Sequence, residues 1–136
     1  MLDRLVTVAD LAERTGIAIM PTLFTGHMSG LDLVPAWGLG GSDRDPRFRV
    51  PSGGRLTDAR LRNWYGDPVV ARAQAWLAGQ AATAVAGHPA LWAWDLGNEN
   101  SNCVRPPDRP SARDWLKRTC EAIRAADEYA GTRVTL

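Results

Sequence analysis

The chain is poor in lysine and cysteine, carries almost no net charge, and has no long apolar run. Of 16 basic residues in 136, Lys117 is the single lysine. Arginine's planar fork matches carboxylates, but a compositional bias accounts for the preference equally well, so it assigns no function. Two cysteines, Cys103 and Cys120, make neither a disulfide framework nor a metal site. No stretch approaches the roughly 18 apolar residues of a membrane span. A formal charge of +1, from 16 bases against 15 acids, gives no reason to expect nucleic acid or a membrane surface as partner. The opening "MLDRLVTVADLAERTG" has an acid at Asp3 and helical periodicity, so it does not read as a signal peptide. The localisation is left open: a cytoplasmic segment is expected as it stands, and a secreted one if a signal peptide lies upstream of Met1. No cofactor and no metal is expected.

What is present is ordinary for a globular domain: 45% apolar and 23% charged residues, with length enough for one core. Leu2, Leu5, Val6, Val8, Ala9 and Leu11 lie near one helical stripe, and Gly16 follows as a stop, which predicts a helix over 2–14. "IAIMPTLF", residues 17–24, is a continuous apolar run that suits a parallel strand buried on both faces. Residues 26–66 are rich in glycine and proline and have no clear period. A segment of that length is commonly functional or disordered. Asp67 and Pro68 start a second helix, an N-cap oxygen followed by a residue whose missing N–H costs nothing there; it stops by Gly87. Residues 91–96 form a second strand, 97–110 a proline-rich loop, and Ser111 caps a third helix ending near Tyr129. "RVTL", residues 133–136, opens a third strand.

Strands alternating with helices imply a parallel sheet. The long connections follow strands and the short ones precede them. A βα barrel has this asymmetry, because its active face is built from loops at the strand C-termini. "LWAWDLGNEN", residues 91–100, then acquires a location. It places Asn98 and Glu99 at the end of a buried parallel strand, where such barrels keep catalytic groups. Counting by twos puts Glu99, Gly97, Asp95, Ala93 and Leu91 on one face, with Trp92, Trp94 and Leu96 facing the helices. Glu99 is expected to be partly desolvated between Trp92 and Trp94. Asp95, aimed inward, needs a basic or hydrogen-bonding partner.

"HPALWAWDLGNEN" resembles the fourth-strand signature of clan A retaining glycoside hydrolases, above all family 5, the cellulases and mannanases. The family pattern Trp-Glu-Leu-x-Asn-Glu reads here as Trp94, Asp95, Leu96, Gly97, Asn98 and Glu99, with Asp95 the one departure. "GIAIMPTLFTGH" is similar to the third strand. The resemblance implies that residues 1–136 are a fragment of a TIM (β/α)8 barrel, about strand 3 to the start of strand 5. Covering helices flank its parallel strands, and residues 26–66 form a long active-face loop. It implies a retaining β-glycosidase segment in which Glu99 is the acid/base and Asn98 bonds the sugar 2-hydroxyl.

Retaining hydrolysis needs a second carboxyl about 5 Å from the first. In this clan it ends the seventh strand, and the segment stops near the fifth, so the isolated chain is expected to be inactive. Glu13, Glu121 and Glu128 fall on helices, and Asp43 and Asp45 lie in the long loop. Open sheet edges make self-association an expectation. The alternative is a non-catalytic carbohydrate-binding or scaffold half-barrel. His27 and Asn100 are candidate sugar contacts, and Asn102 a further polar group. Trp37, Trp64 and Tyr65 either stack on sugar or form the loop's own small core. His88 is expected to be structural, and Trp76 and Trp115 to be core. "GLGGSD" fails as a dinucleotide fingerprint, since Asp43 stands where the third glycine belongs.

Overall fold

In the computed structural model, residues 1–44 and 47–127 are described. The elements in chain order are α1 (Leu2–Thr15), β1 (Thr22–Thr25), β2 (His27–Met28), β3 (Leu31–Asp32), a 3₁₀ turn (Ala36–Gly38), β4 (Leu39–Arg44), β5 (Val50–Ser52), β6 (Arg55–Thr57), α2 (Pro68–Ala84), β7 (Asp95–Asn98), α3 (Asn100–Cys103) and α4 (Arg109–Asp127). The chain divides into two compact units: residues 1–23, 74–96 and 117–136 make one, and residues 24–73 and 97–116 the other. Among the described residues no helix is long and apolar enough to cross a membrane.

In the first unit, α1 ends as its sequence predicts. Gly16 adopts φ 69, and the N–H groups of Gly16 and Ile17 return to the carbonyls of Glu13 and Ala12 at 3.1 and 2.8 Å. That pattern satisfies carbonyls the helix would otherwise leave open. The core is built of small side chains: Ala9 and Ala12 on α1, Ala78, Ala81 and Ala82 on α2, with Val85, Ala90, Trp94 and Ile123. Small residues let backbones approach. A Cβ placed at Gly79 would sit 3.6 Å from the Ala122 carbonyl oxygen. His88 Nε2 lies 3.2 Å from Asp10 and 3.8 Å from Glu13 on α1, a structural contact.

The segments that run into β1 and β7 pair in parallel. Ile19 N–H donates to Ala90 O at 2.8 Å, Trp92 N–H to Ile19 O at 3.0 Å, and Asp95 N–H to Pro21 O at 3.0 Å. Ile19 and Leu91 form a parallel bridge. Two expectations need correction here. Regular strand covers Asp95–Asn98 and Thr22–Thr25, while residues 91–94 and 17–21 are extended with only the isolated bridge between them. Nor is this pair buried on both faces: Ile17 and Met20 are exposed and Trp92 is 70% exposed. The sheet contains only β1 and β7 among the described residues, so each strand has one paired edge. Trp76, expected in the core, is 65% exposed on α2, because that helix buries its alanine stripe instead.

In the second unit, residues 26–66 hold short antiparallel pieces in place of an aperiodic loop. β2 pairs with β3, and β5 with β6 through a turn at Gly53 and Gly54, φ 59 and 78. Positive φ at both turn residues matches the twist of a two-residue hairpin, and glycine adopts it freely. Residues 38–40 run against 60–62, with Gly40 N–H on Arg60 O and Arg62 N–H on Gly38 O, each 2.8 Å. There Gly41 is required: a Cβ would lie 2.6 Å from Arg62 Cα.

Phe24 and Tyr65 both meet Trp115 edge to face, at centroid distances of 6.0 and 5.7 Å. Trp64 and Tyr65 are buried, with Val50, Leu61, Val70, Cys103 and Val104, so they form a core of their own. Burial raises the Tyr65 hydroxyl above its ordinary pKa, and Cys103 adds to the rise.

Helix starts follow side-chain acceptors. Asp67 Oδ1 accepts from Val69 and Val70 N–H at 2.8 and 3.2 Å, the N-cap expected before Pro68. At α4 the cap is Asp108, not Ser111: its Oδ1 accepts the Ser111 N–H at 2.7 Å, and Pro110 fits the first turn because no N–H is needed there. That bond holds the Asp108 carboxyl below its ordinary pKa. Residues 97–110, expected as loop, include α3. Glu13 and Glu121 lie on helices as expected. Asp45, Glu128, the helix end near Tyr129, and "RVTL" lie outside the described residues.

Candidate active site

The site is built where β7 ends. Asn98 closes the strand and Glu99 follows in the left-handed region, φ 49 and ψ 36, before the first residue of α3. Non-glycine residues rarely adopt this conformation, and such strain gathers at functional positions. Glu99 O accepts the Asn102 N–H at 2.8 Å. Glu99 is exposed. The expected desolvation by Trp92 and Trp94 is therefore corrected: Trp94 is buried, Trp92 is exposed, and the backbone reversal at Glu99 ends the strand alternation that placed them together. Asp95 does find the partner it needs, accepting from Thr22 Oγ1 at 2.8 Å.

Asn100 serves the backbone. Its Oδ1 accepts from Gly26 N–H at 3.2 Å. Two glycines make room for it: a Cβ at Gly26 would lie 2.7 Å from Asn100 Oδ1, and one at Gly97 would strike the Asn100 amide and the Phe24 carbonyl oxygen, the latter at 2.6 Å. Asn98 Nδ2 donates to the His27 carbonyl at 2.7 Å. His27 is buried beneath Phe48, ring centroids 4.1 Å apart, with Nδ1 3.0 Å from Asp32 Oδ1.

Thus the second unit brings His27, Asn98 and Asn100 into one hydrogen-bonded cluster adjoining Glu99 in the chain. Trp37 lies on the 3₁₀ turn, 47% exposed, and makes no aromatic pair among the described residues. Asp32 was not a sequence candidate. Its signal is the "HMSGLD" hairpin, in which Ser29 and Gly30 take φ 53 and 80 and set His27 opposite Asp32. Arms of two residues each are too short to show strand alternation.

No family model and no curated protein sequence matches the chain. Solved structures do. GH5_18 from Streptomyces cattleya in complex with GlcNAc superposes with a TM-score of 0.69 at 25% identity, over 92% of this chain and 27% of that one. A glutamate-to-alanine variant of that protein, in complex with Manβ1-4GlcNAc, superposes with a TM-score of 0.69 at 24% identity, over 92% of this chain and 28% of its own.

This chain's fold resembles part of a family 5 glycoside hydrolase. It spans little more than a quarter of the length of those neighbours. Its mixed α/β structure with parallel pairing is consistent with a fragment of the barrel.

Proposed function

We propose that this chain is the acid/base-bearing segment of a retaining β-glycosidase, with Glu99 protonating the departing glycosidic oxygen and Asn98 bonding the sugar 2-hydroxyl. One observation carries the reading: Asn98 and Glu99 leave the end of a parallel strand in a fold that matches a family 5 glycoside hydrolase, Asn98 already hydrogen-bonded in place. The substrate class is a β-linked oligosaccharide, and Manβ1-4GlcNAc, held by the neighbour, is the first probe. His27, Asn100 and Trp37 belong to the sugar-facing surroundings, His27 and Asn100 mainly by holding the cluster.

The 136-residue chain is proposed to hydrolyse nothing by itself, since the double displacement needs a second carboxylate about 5 Å away. Of the other acids in the same unit whose side chains are described, Asp32 faces His27, Asp67 faces Arg62, Asp108 caps α4, and Asp58 and Asp114 are exposed. The test is a chimera in which these residues replace the matching segment of the Streptomyces cattleya enzyme. Glu99→Gln should lower its turnover about 10²- to 10⁴-fold, the contribution of general acid–base catalysis. An undiminished rate rejects the assignment.

The exposure of Ile17, Met20 and Trp92 favours a second reading, a non-catalytic carbohydrate-binding half-barrel that self-associates through its open edges. Sizing and calorimetry on the purified chain separate the two, since an oligomer that binds disaccharide without cutting it supports the latter.

A further inference from the structure

Asp32 is 0% exposed, and its Oδ1 lies 3.0 Å from the Nδ1 of His27. The hairpin register brings them together: His27 and Asp32 are direct cross-strand partners, and such partners share one face of an antiparallel pair. A buried carboxylate is costly unless it is bonded. Its Oδ2 has no hydrogen-bond partner among the described residues, which leaves the imidazole as the group its side chain meets. A carboxylate oxygen accepts, so the ring nitrogen facing Oδ1 carries the hydrogen. In the neutral ring Nε2 is then an acceptor. The same residue presents its backbone carbonyl to Asn98 Nδ2 at 2.7 Å.

We infer that Asp32 is a positioning residue of the candidate site: it holds His27 as the Nδ1–H tautomer and pins the hairpin carbonyl that orients Asn98. The inference rests on the glycosidase reading for the ligand, a sugar hydroxyl that donates to His27 Nε2. It does not need that reading for the tautomer. Phe48, against the ring, limits its rotation. With one amide hydrogen of Asn98 anchored, the residue before Glu99 has a single side-chain orientation to offer a substrate.

Long-range proton–nitrogen NMR on the 136-residue chain tests this. Its imidazole signals come from His27 and His88 alone, and His88→Gln removes one set. At about pH 8, above the ordinary imidazole range, Nδ1 of His27 should be the protonated nitrogen and Nε2 the bare one. Asp32→Asn should abolish that pattern and move the Asn98 side-chain amide signals. A buried residue that merely filled space would select no tautomer.

An Nε2–H ring in the unsubstituted chain, or unchanged ring signals in Asp32→Asn, overturns the inference. If Asp32→Asn does not fold, the unsubstituted spectrum still decides the tautomer. Titration with Manβ1-4GlcNAc separates the positioning from the sugar contact at Nε2. Perturbation of Nε2, with about tenfold weaker affinity in Asp32→Asn, the scale of one lost hydrogen bond, supports both. A correct tautomer that no sugar perturbs rejects the sugar contact at His27 Nε2 and leaves the Asp32–His27 positioning in place.

Discussion

The side-chain amide of Asn98 donates to the backbone carbonyl of His27 across 2.7 Å, joining the last residue of β7 to the first of β2. The contact is partly buried, so its loss leaves a carbonyl short of a partner. Asn98→Ala should lower stability by about 1–3 kcal/mol. Asn98→Asp should cost at least as much, because a carboxylate would face the carbonyl without a hydrogen to give. Urea denaturation of the three chains measures both, and equal midpoints would mean the bond contributes nothing.

Glu99 sits at φ 49. The left-handed region costs a non-glycine residue about 1–2 kcal/mol, whereas glycine enters it freely. Glu99→Gly is therefore expected to raise the melting temperature even as it removes the carboxylate, and Glu99→Gln to leave it nearly unchanged. That opposition of stability and chemistry is the signature of a residue kept for function. A destabilised Glu99→Gly would show that the side chain is holding the fold.

Gly97 is confined by backbone. A Cβ there would stand 2.6 Å from the Phe24 carbonyl oxygen and against the Asn100 amide. Gly97→Ala should cost about 1–3 kcal/mol, the usual penalty of overpacking. Gly16→Ala, where a Cβ meets open space, isolates the separate penalty of a positive φ. Denaturation midpoints should fall further for Gly97.

Asp67 accepts from the Val69 and Val70 N–H groups and pairs with Arg62 at 3.1 Å. Burial alone would raise its carboxyl, but these bonds outweigh it and hold the pKa below the ordinary value. A depressed carboxylate contributes stability above its unfolded pKa of about 3.9 and loses it as pH falls through the folded value. Asp67→Asn keeps a capping oxygen, so its deficit should be clear at pH 7 and shrink near about pH 2. Asp67→Ala should cost about 1 kcal/mol more, from the missing cap. A pH-independent deficit in Asp67→Asn would rule out the ionised pair.

Local signals were legible where their physics is local. The Gly16 stop and the Asp67–Pro68 start depend on residues a few positions apart, and both are present. So is the Asn98–Glu99 pair at a strand end. The α4 cap shifted to Asp108 because an aspartate three residues before a free N–H competes better than the serine that carries it. The hairpins within 26–66 were illegible because arms of two or three residues show no period.

The order of amino acids by itself determined the Gly16 stop, the Asp67–Pro68 start and the place of Asn98 and Glu99 at a strand end, since caps, turns and backbone preferences act over a single turn of chain. Only the tertiary structure decided that Trp64, Tyr65 and Trp115 are covered while Trp76 and Trp92 are not, and that Asn98 anchors to His27. Whether a ring is covered or an amide bonded depends on which distant segment arrives against it, and no local pattern records that arrival.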